Sequence, residues 1–482
     1  MFVYFEMEAL FMSIIDMFSH KSKVKSKRTL NIILVGCGKV GVALIKRLSE
    51  EGNNVTFIDR NEKLVNKFST ELDAMGFVGN GASYKNLTEA GIDKADLFIA
   101  VTESDELNLL CCTVAKKVSH CSTIARVRNP VYSEEQDYLK EQLGLSKIIN
   151  PDLEAAKEIV RILKFPAALS VSSFAKGHAE LIRFKVPNEC YLDGKILSKI
   201  QEDCDFTFLV CAVERNDNIT IPNGNQNIKG GDIITIIATP KNAYRFFRKM
   251  EISQKRISSV MIIGGGRTAF YITKLLGSSV ADIKIIENNF ERCEELNVLL
   301  GNSAHIINGD GTDEKLLEKE DIKNVDAFIP ATGIDEENIL LTLYAKNVTN
   351  AKVITKVNRI NFNSVISSLE LGSLIHPRLL TAEAILAYAR GKKNSLDSCN
   401  IETLYHWFDN RVEAIEFKVM DNCDVTNIPL YKLNIKENVL VACISRNGNV
   451  IIPRGQDCIQ NGDYVTIVTT YTGFESINDI LA

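Results

Sequence analysis

Short apolar runs alternate along this chain with longer stretches in which apolar residues recur every three or four positions. "NIILVG" (31–36), "NVTFID" (54–59), "AMGFVGN" (74–80), "ADLFIAV" (95–101) and "STIARV" (122–127) have strand length and are rich in β-branched and aromatic residues. Between them the helical period predicts helices over 39–51, 61–72, 83–91 and 105–119. Strands apolar on both faces, alternating with amphipathic helices, predict a parallel, doubly wound sheet. After Pro151 and one further helix the pattern changes. "AELIRFKV", "TFLVCAVER" and "DIITIIA" lie around Gly/Asn turns and predict a small α+β lobe at 170–240. "KNAYRFFRKMEISQKRISS" (241–259) reads as a charged helical linker.

The pattern then repeats. At an offset of about 228–233 residues, "GCGKVG" (36–41) matches "GGGRTA" (264–269), and "GNGAS" (79–83) matches "GDGTD" (309–313). "ADLFIAVTESDELN" (95–108) matches "VDAFIPATGIDEEN" (325–338), and "NPDLEAAKEI" (150–159) matches "HPRLLTAEAI" (376–385). The small lobes match as well, "ITIPNGNQNIKGGDIITIIAT" (219–239) with "VIIPRGQDCIQNGDYVTIVTT" (450–470). This is a tandem duplication of whole domains, since its period far exceeds the ~20–50 residues of solenoids. The expected fold is α/β, with two Rossmann-like doubly wound domains, each followed by a small α+β lobe. The expected boundaries are an extension at 1–28, a first sheet domain at 29–150 and its lobe at 170–240. A linker at 241–258, a second sheet domain at 259–376 and a second lobe at 400–478 complete the series.

Composition narrows the function. A net charge of −5 argues against nucleic-acid binding, which favours a clearly basic domain. No apolar stretch is long enough for a membrane-spanning helix. The twelve cysteines include no C-x-x-C pair, and the six histidines are scattered, so the cysteines are expected to be small core residues and no metal site is expected. The first 28 residues, apolar and then basic, invert the order of a secretory signal. They read either as a disordered extension or early start, or as an amphipathic contact with a membrane surface or partner.

The glycine loops carry the candidate chemistry. A strand followed by G-x-G-x-x-G and a helix is a dinucleotide fingerprint. Gly36 permits the tight turn, Gly38 lets backbone approach a pyrophosphate, and Gly41 lets the helix pack close to the sheet. Cys37, Lys39 and Val40 complete the loop, whose helix N-terminus offers free N–H groups to an anion. Asp59, 18 residues after Gly41, is placed to accept hydroxyls of an adenosine ribose and to repel a 2′-phosphate, which favours NAD over NADP. Thr102 and Glu103 follow the fourth strand and face the same crevice. Arg126, on the fifth, reads either as a phosphate ligand or as a partner of Asp105 or Glu106. In the second copy Gly264, Gly265, Gly266, Arg267 and Thr268 form the loop, Ala269 replaces the third glycine, and Glu287 replaces Asp59. Whether that second loop holds a nucleotide is left open.

No acid–base constellation follows either loop, and the small lobes lack convergent polar clusters. A nucleotide site without chemistry is a sensor, because occupancy biases conformations that bind the ligand unequally. The order of domains, with "IILVGCGKVG", "VTFIDRNEKL", "ADLFIAVTESDELNLL", "STIARVRNPVY", "FPAALSVSSFAKG", "MIIGGGRTA" and "DAFIPATGIDEENIL", resembles the TrkA family. These are peripheral subunits of Trk potassium uptake systems, built from RCK (KTN) N- and C-domains. The resemblance covers about 29–478. It implies a cytoplasmic regulator on the inner face of the membrane and a potassium-translocating membrane partner. It also implies a homo-oligomeric ring, and NAD(H), with ATP or ADP, bound in the N-domains. An NAD-dependent oxidoreductase, or a scaffold with idle loops, remains the alternative.

Overall fold

The computed structural model describes residues 29–252, 256–358, 369, 371–393, 399–407, 411–420 and 423–482. The 1–28 extension lies outside them. β1 (Asn31–Val35), β2 (Asn54–Asp59), β3 (Met75–Val78), β4 (Leu97–Ala100), β5 (Ser122–Arg126) and β6 (Lys147–Ile149) form one sheet in the order β3-β2-β1-β4-β5-β6. Every pairing in it is parallel, with Leu34 of β1 between Phe57 and Ile99. Helix Lys39–Glu50 turns one stripe inward, burying Val40, Gly41, Leu44, Ile45 and Leu48. Helix Asp105–Val118 is capped by the Ser104 hydroxyl and carries acids in its first turn and lysines in its last, matching the helix dipole.

The small lobe is an antiparallel sheet of β7 (Ala168–Phe174), β8 (Ala179–Lys185), β9 (Leu209–Arg215), β10 (Asn218–Thr220) and β11 (Ile233–Ala238), ordered β10-β9-β11-β8-β7. Gly231 turns into β11 at φ +85°, a backbone conformation that favours glycine. The following Asp232 is buried and grips Arg215 through two 2.7 Å hydrogen bonds. Helix Pro240–Lys249 occupies the stretch read as a linker. It buries Ala243, Phe246 and Phe247, and Phe246 and Phe247 meet Phe184 of β8 edge to face, so it belongs to the lobe's core. The charges that suggested a linker lie on its outer face.

The second half repeats this. β12 (Ser259–Ile263), β13 (Asp282–Glu287), β14 (His305–Asn308), β15 (Ala327–Pro330), β16 (Lys352–Lys356) and β17 (Ser373–Ile375) form a sheet ordered β14-β13-β12-β15-β16-β17. β18 (Cys399–Trp407), β19 (Val412–Val419), β20 (Val439–Arg446), β21 (Asn449–Ile451) and β22 (Tyr464–Thr469) form the second lobe, where Asp463 grips Arg446 as Asp232 grips Arg215. Ten described cysteines carry free thiols, whereas Cys423 is disulfide-bonded, which the expectation of small core cysteines did not include. Among the described residues, no helix is long and apolar enough to cross a membrane.

The halves exchange lobes. One continuous core joins the first small lobe to the second sheet domain, with Ile159 and Phe184 alongside Phe270 and Ile285. Another joins the first sheet domain to the second lobe, with Leu44 and Leu48 alongside Ile385 and Phe417. Helix Pro151–Lys164 crosses onto helix Arg267–Leu276, and helix Pro377–Lys393 crosses onto helix Lys39–Glu50. A buried ion network reinforces the second crossing. Arg390 donates to Glu51 at 2.6 Å, just past the first glycine-loop helix, and to Glu413 on β19 at 3.2 Å. His406 Nε2 lies 3.1 Å from Glu413, and its Nδ1 lies 3.5 Å from Glu383. Burial alone would lower the His406 pKa, but these two carboxylates outweigh it and raise it.

Candidate nucleotide-binding crevices

The first crevice opens at the carboxyl ends of β1, β2, β4 and β5. Gly36 adopts φ +105° and donates to Ile58 O at 2.9 Å; a Cβ there would sit 3.0 Å from the Thr102 backbone. A Cβ on Gly41 would lie 1.8 Å from the Gly36 carbonyl oxygen, so only glycine fits. Gly38 is different. A Cβ there meets nothing within 4 Å, and it begins helix Lys39–Glu50 with no side-chain cap. Backbone N–H groups therefore face open space where an anion can take them. Lys39 is exposed beside them, while Val40 and Cys37 are buried. Burial, with Asp59 nearby, pushes the Cys37 thiol up to about 12, so it is not a nucleophile.

Asp59 Oδ2 accepts from Cys37 N at 2.6 Å and Oδ1 from Asn61 N at 2.8 Å. These bonds fix the loop and leave about two of the carboxylate's four lone-pair sites for ligand hydroxyls. Thr102 is held by Asn108, its N–H and hydroxyl both donating to Asn108 Oδ1. The Glu103 side chain is exposed, and its carbonyl accepts from Arg128 at 2.5 Å. Arg126 donates to the Thr102 carbonyl, but its Nε is buried without a partner. Burial, and then Arg128, push its pKa down to about 10. Asp105 takes the backbone N–H groups of Arg128 and Asn129 and sits 3.7 Å from Arg128 Nε. Arg126 makes no hydrogen bond or close ion pair with Asp105 or Glu106, although the Asp105 charge partly opposes the fall in its pKa. Arg128 was missed by the sequence reading, although it stands two residues beyond Arg126 at the same strand end.

The second crevice keeps the turn and changes the charges around it. Gly264 adopts φ +98° and Gly266 faces open space, while Glu287 accepts from Gly265 N at 2.7 Å and Asn289 N at 2.8 Å. A Cβ on Gly265 would strike Leu296 Cδ1 at 2.6 Å. Ala269 is fully buried. Lys356 stands where Arg126 stands, and its ammonium donates to the Ala331 carbonyl at 2.8 Å. Gly333 replaces Glu103. Arg267 is exposed, and Thr268 donates at 3.0 Å to Asp152, a carboxylate from the first half that sits over this helix N-terminus. The crevices are neighbours, because Tyr271 of the second glycine-loop helix donates to the Arg128 carbonyl at 3.3 Å and accepts from Asn150 at 2.9 Å.

The TrkA-N domain model matches residues 32–151 and 260–377, the two sheet domains, and the TrkA-C domain model matches 181–251. A Trk system potassium uptake protein TrkA homolog 1 of Methanosarcina mazei is 32% identical over 447 residues, covering 91% of this chain and 97% of that one. The chain belongs to the TrkA family. The TrkA of Haemophilus influenzae is 30% identical over 449 residues, covering 91% of this chain and 95% of its own. Among solved structures, the GsuK channel bound to NAD aligns with TM-score 0.60 at 14% identity, over 97% of this chain and 82% of that one. The GsuK RCK domain aligns with TM-score 0.60, over 92% and 93%. These neighbours share the duplicated fold of this TrkA-family chain.

Proposed function

We propose that this TrkA-family chain is a nucleotide-sensing regulatory subunit of a potassium uptake system and not an enzyme. It takes NAD(H), or ADP or ATP through the same adenosine-phosphate end, in the first crevice. It acts as a homo-oligomer on the cytoplasmic face of a Trk-type membrane subunit. The observation that carries this reading is the buried, unpartnered Arg126 Nε at the end of β5, taken with the uncapped Gly38 backbone and the lone pairs left on Asp59. An unpaired buried donor costs ~1–3 kcal/mol, which a pyrophosphate oxygen removes. The naming of the Methanosarcina and Haemophilus relatives and the NAD-bound GsuK fold support the same assignment.

Titration calorimetry with NADH tests it. Asp59→Ala should weaken binding by ~1–3 kcal/mol, or about 5–150-fold, with the fold retained; unchanged affinity removes this crevice as the site. The same protein, given NAD and a panel of hydroxy and amino acids, should show no turnover, and turnover would make it an oxidoreductase. A scaffold with idle loops would show no NADH binding in either form.

A further inference from the structure

A cavity of about 260 Å³ lies between the halves, away from both glycine loops. Helix Pro151–Lys164 of the first half, helix Pro377–Lys393 of the second, β18 and the end of β6 enclose it. At ~30 Å³ per water it accommodates about eight or nine non-hydrogen atoms, well below a dinucleotide.

Several of its polar groups are engaged. Glu154 pairs with Lys157 at 2.7 Å, Glu383 accepts from His406 N at 3.1 Å, Thr403 donates to Glu416 at 3.3 Å, and Lys147 reaches the Ala384 carbonyl at 3.4 Å. Gln136, Ser173 and Glu402 make no described side-chain hydrogen bond, and neither do three further groups. Glu158 and Arg161, one turn apart on the first helix, line the cavity and make no hydrogen bond or ion pair with any described residue, each other included. The Tyr405 hydroxyl, opposite them on β18, has no described partner either. Burial, and then Glu383 across the cavity, push Glu158 up to about 8, and the Arg161 charge offsets this only in part.

A carboxyl group and a guanidinium that face one small cavity without hydrogen bonds are costly unless a ligand supplies those bonds. Side chains three residues apart on a helix present Cβ atoms ~5–6 Å apart, a gap bridged by two opposite charges carried on one carbon. A metal ion fits poorly beside a guanidinium, and among the described residues no three ligating side chains converge. We propose that this cavity binds a small zwitterion of amino-acid size, its ammonium on Glu158, its carboxylate on Arg161, and Tyr405 as the third contact. The ligand bridges the first-half helix to the second lobe. This site does not depend on the glycine crevices.

Calorimetry on the full chain at pH 7 tests it, with glycine, L-alanine and L-serine in two buffers of different ionisation enthalpy. One saturable event per chain is expected, with up to one proton released as Glu158 ionises against the ammonium. Arg161→Met and Glu158→Gln should each weaken binding by at least ~tenfold. Glu158→Gln should also abolish the buffer dependence, and Tyr405→Phe should weaken binding several-fold while folding normally. If either charge variant misfolds, Tyr405→Phe and the wild-type buffer dependence decide. The proposal is overturned by absence of heat from all three compounds, by binding that survives the substitutions, or by saturation with inorganic phosphate or calcium chloride instead. NADH titration of the same variants should be unchanged, which separates failure here from failure of the nucleotide reading.

Discussion

The two crevices share one backbone and differ in what surrounds it. Gly36 and Gly264 make the same left-handed turn, and Asp59 and Glu287 pin the loop by the same pair of bonds. Around the first loop stand Arg126, with an unpartnered Nε, and Arg128; around the second stand Lys356, hydrogen-bonded to a backbone carbonyl, and the Asp152 carboxylate. Duplication preserved the geometry that holds the loop and released the charge that recognises a ligand. A glycine motif alone thus reports a turn, and the electrostatics of its rim decide whether an anion follows.

The contrast breaks most sharply at the third glycine. Gly41→Ala drives a Cβ into the Gly36 carbonyl and should lower stability by ~1–3 kcal/mol and abolish NADH binding in calorimetry. The reverse change, Ala269→Gly, should cost only ~1 kcal/mol of helix propensity. Next is the arginine. Arg126→Met should weaken NADH by ~1.5–3 kcal/mol, about 10–150-fold, without lowering the melting temperature of the unliganded protein. Lys356→Met should leave NADH affinity unchanged, and equal losses in both variants would erase the distinction between the crevices.

A second pair of equivalent positions sharpens the comparison through pH. Glu413 is paired with Arg390 and His406, whereas Glu180, its counterpart on β8, has an unpartnered Oε2. Burial raises Glu180 to about 7, only partly offset by Arg161 and Lys164. A carboxyl group with a raised folded pKa favours folding at low pH, and that contribution is lost as pH climbs from about 4.5 through 7. Glu180→Gln should therefore flatten the fall in melting temperature across that window, by on the order of 2 kcal/mol. An unchanged slope would show Glu180 to be solvated. The smallest effect is expected from Asp152→Asn. Removing that charge from the second helix N-terminus should strengthen nucleotide binding there by ~0.3–1 kcal/mol, read as a second, weaker event in the NADH titration.

Much of this was legible in the residues. The strands β1, β2, β4 and β5, the loop glycines and Asp59 were readable because local period and fixed spacing determine them. β6 and β7 were not, since the first has three residues and the serines of "ALSVSSF" blur its alternation. Helix Pro240–Lys249 misled because its charges outnumber Phe246 and Phe247, although those two anchor it. Asp152 and Lys356 could not be assigned to the second crevice, because one comes from the opposite half and the other depends on which carbonyl lies within reach. The exchange of lobes left no trace, for each sheet domain meets a lobe homologous to its own.

That exchange governs the order in which the molecule can be completed. The apolar side of the first sheet domain, including Leu30, Leu44 and Leu48, is closed by Ile385, Phe417 and Ile477. A ribosome releases the amino-terminal sheet long before it makes those covering residues, so the nascent domain waits with its flank bare. Cutting the gene between the repeats would leave two fragments, each with an orphaned greasy face, that regain shelter only by finding one another.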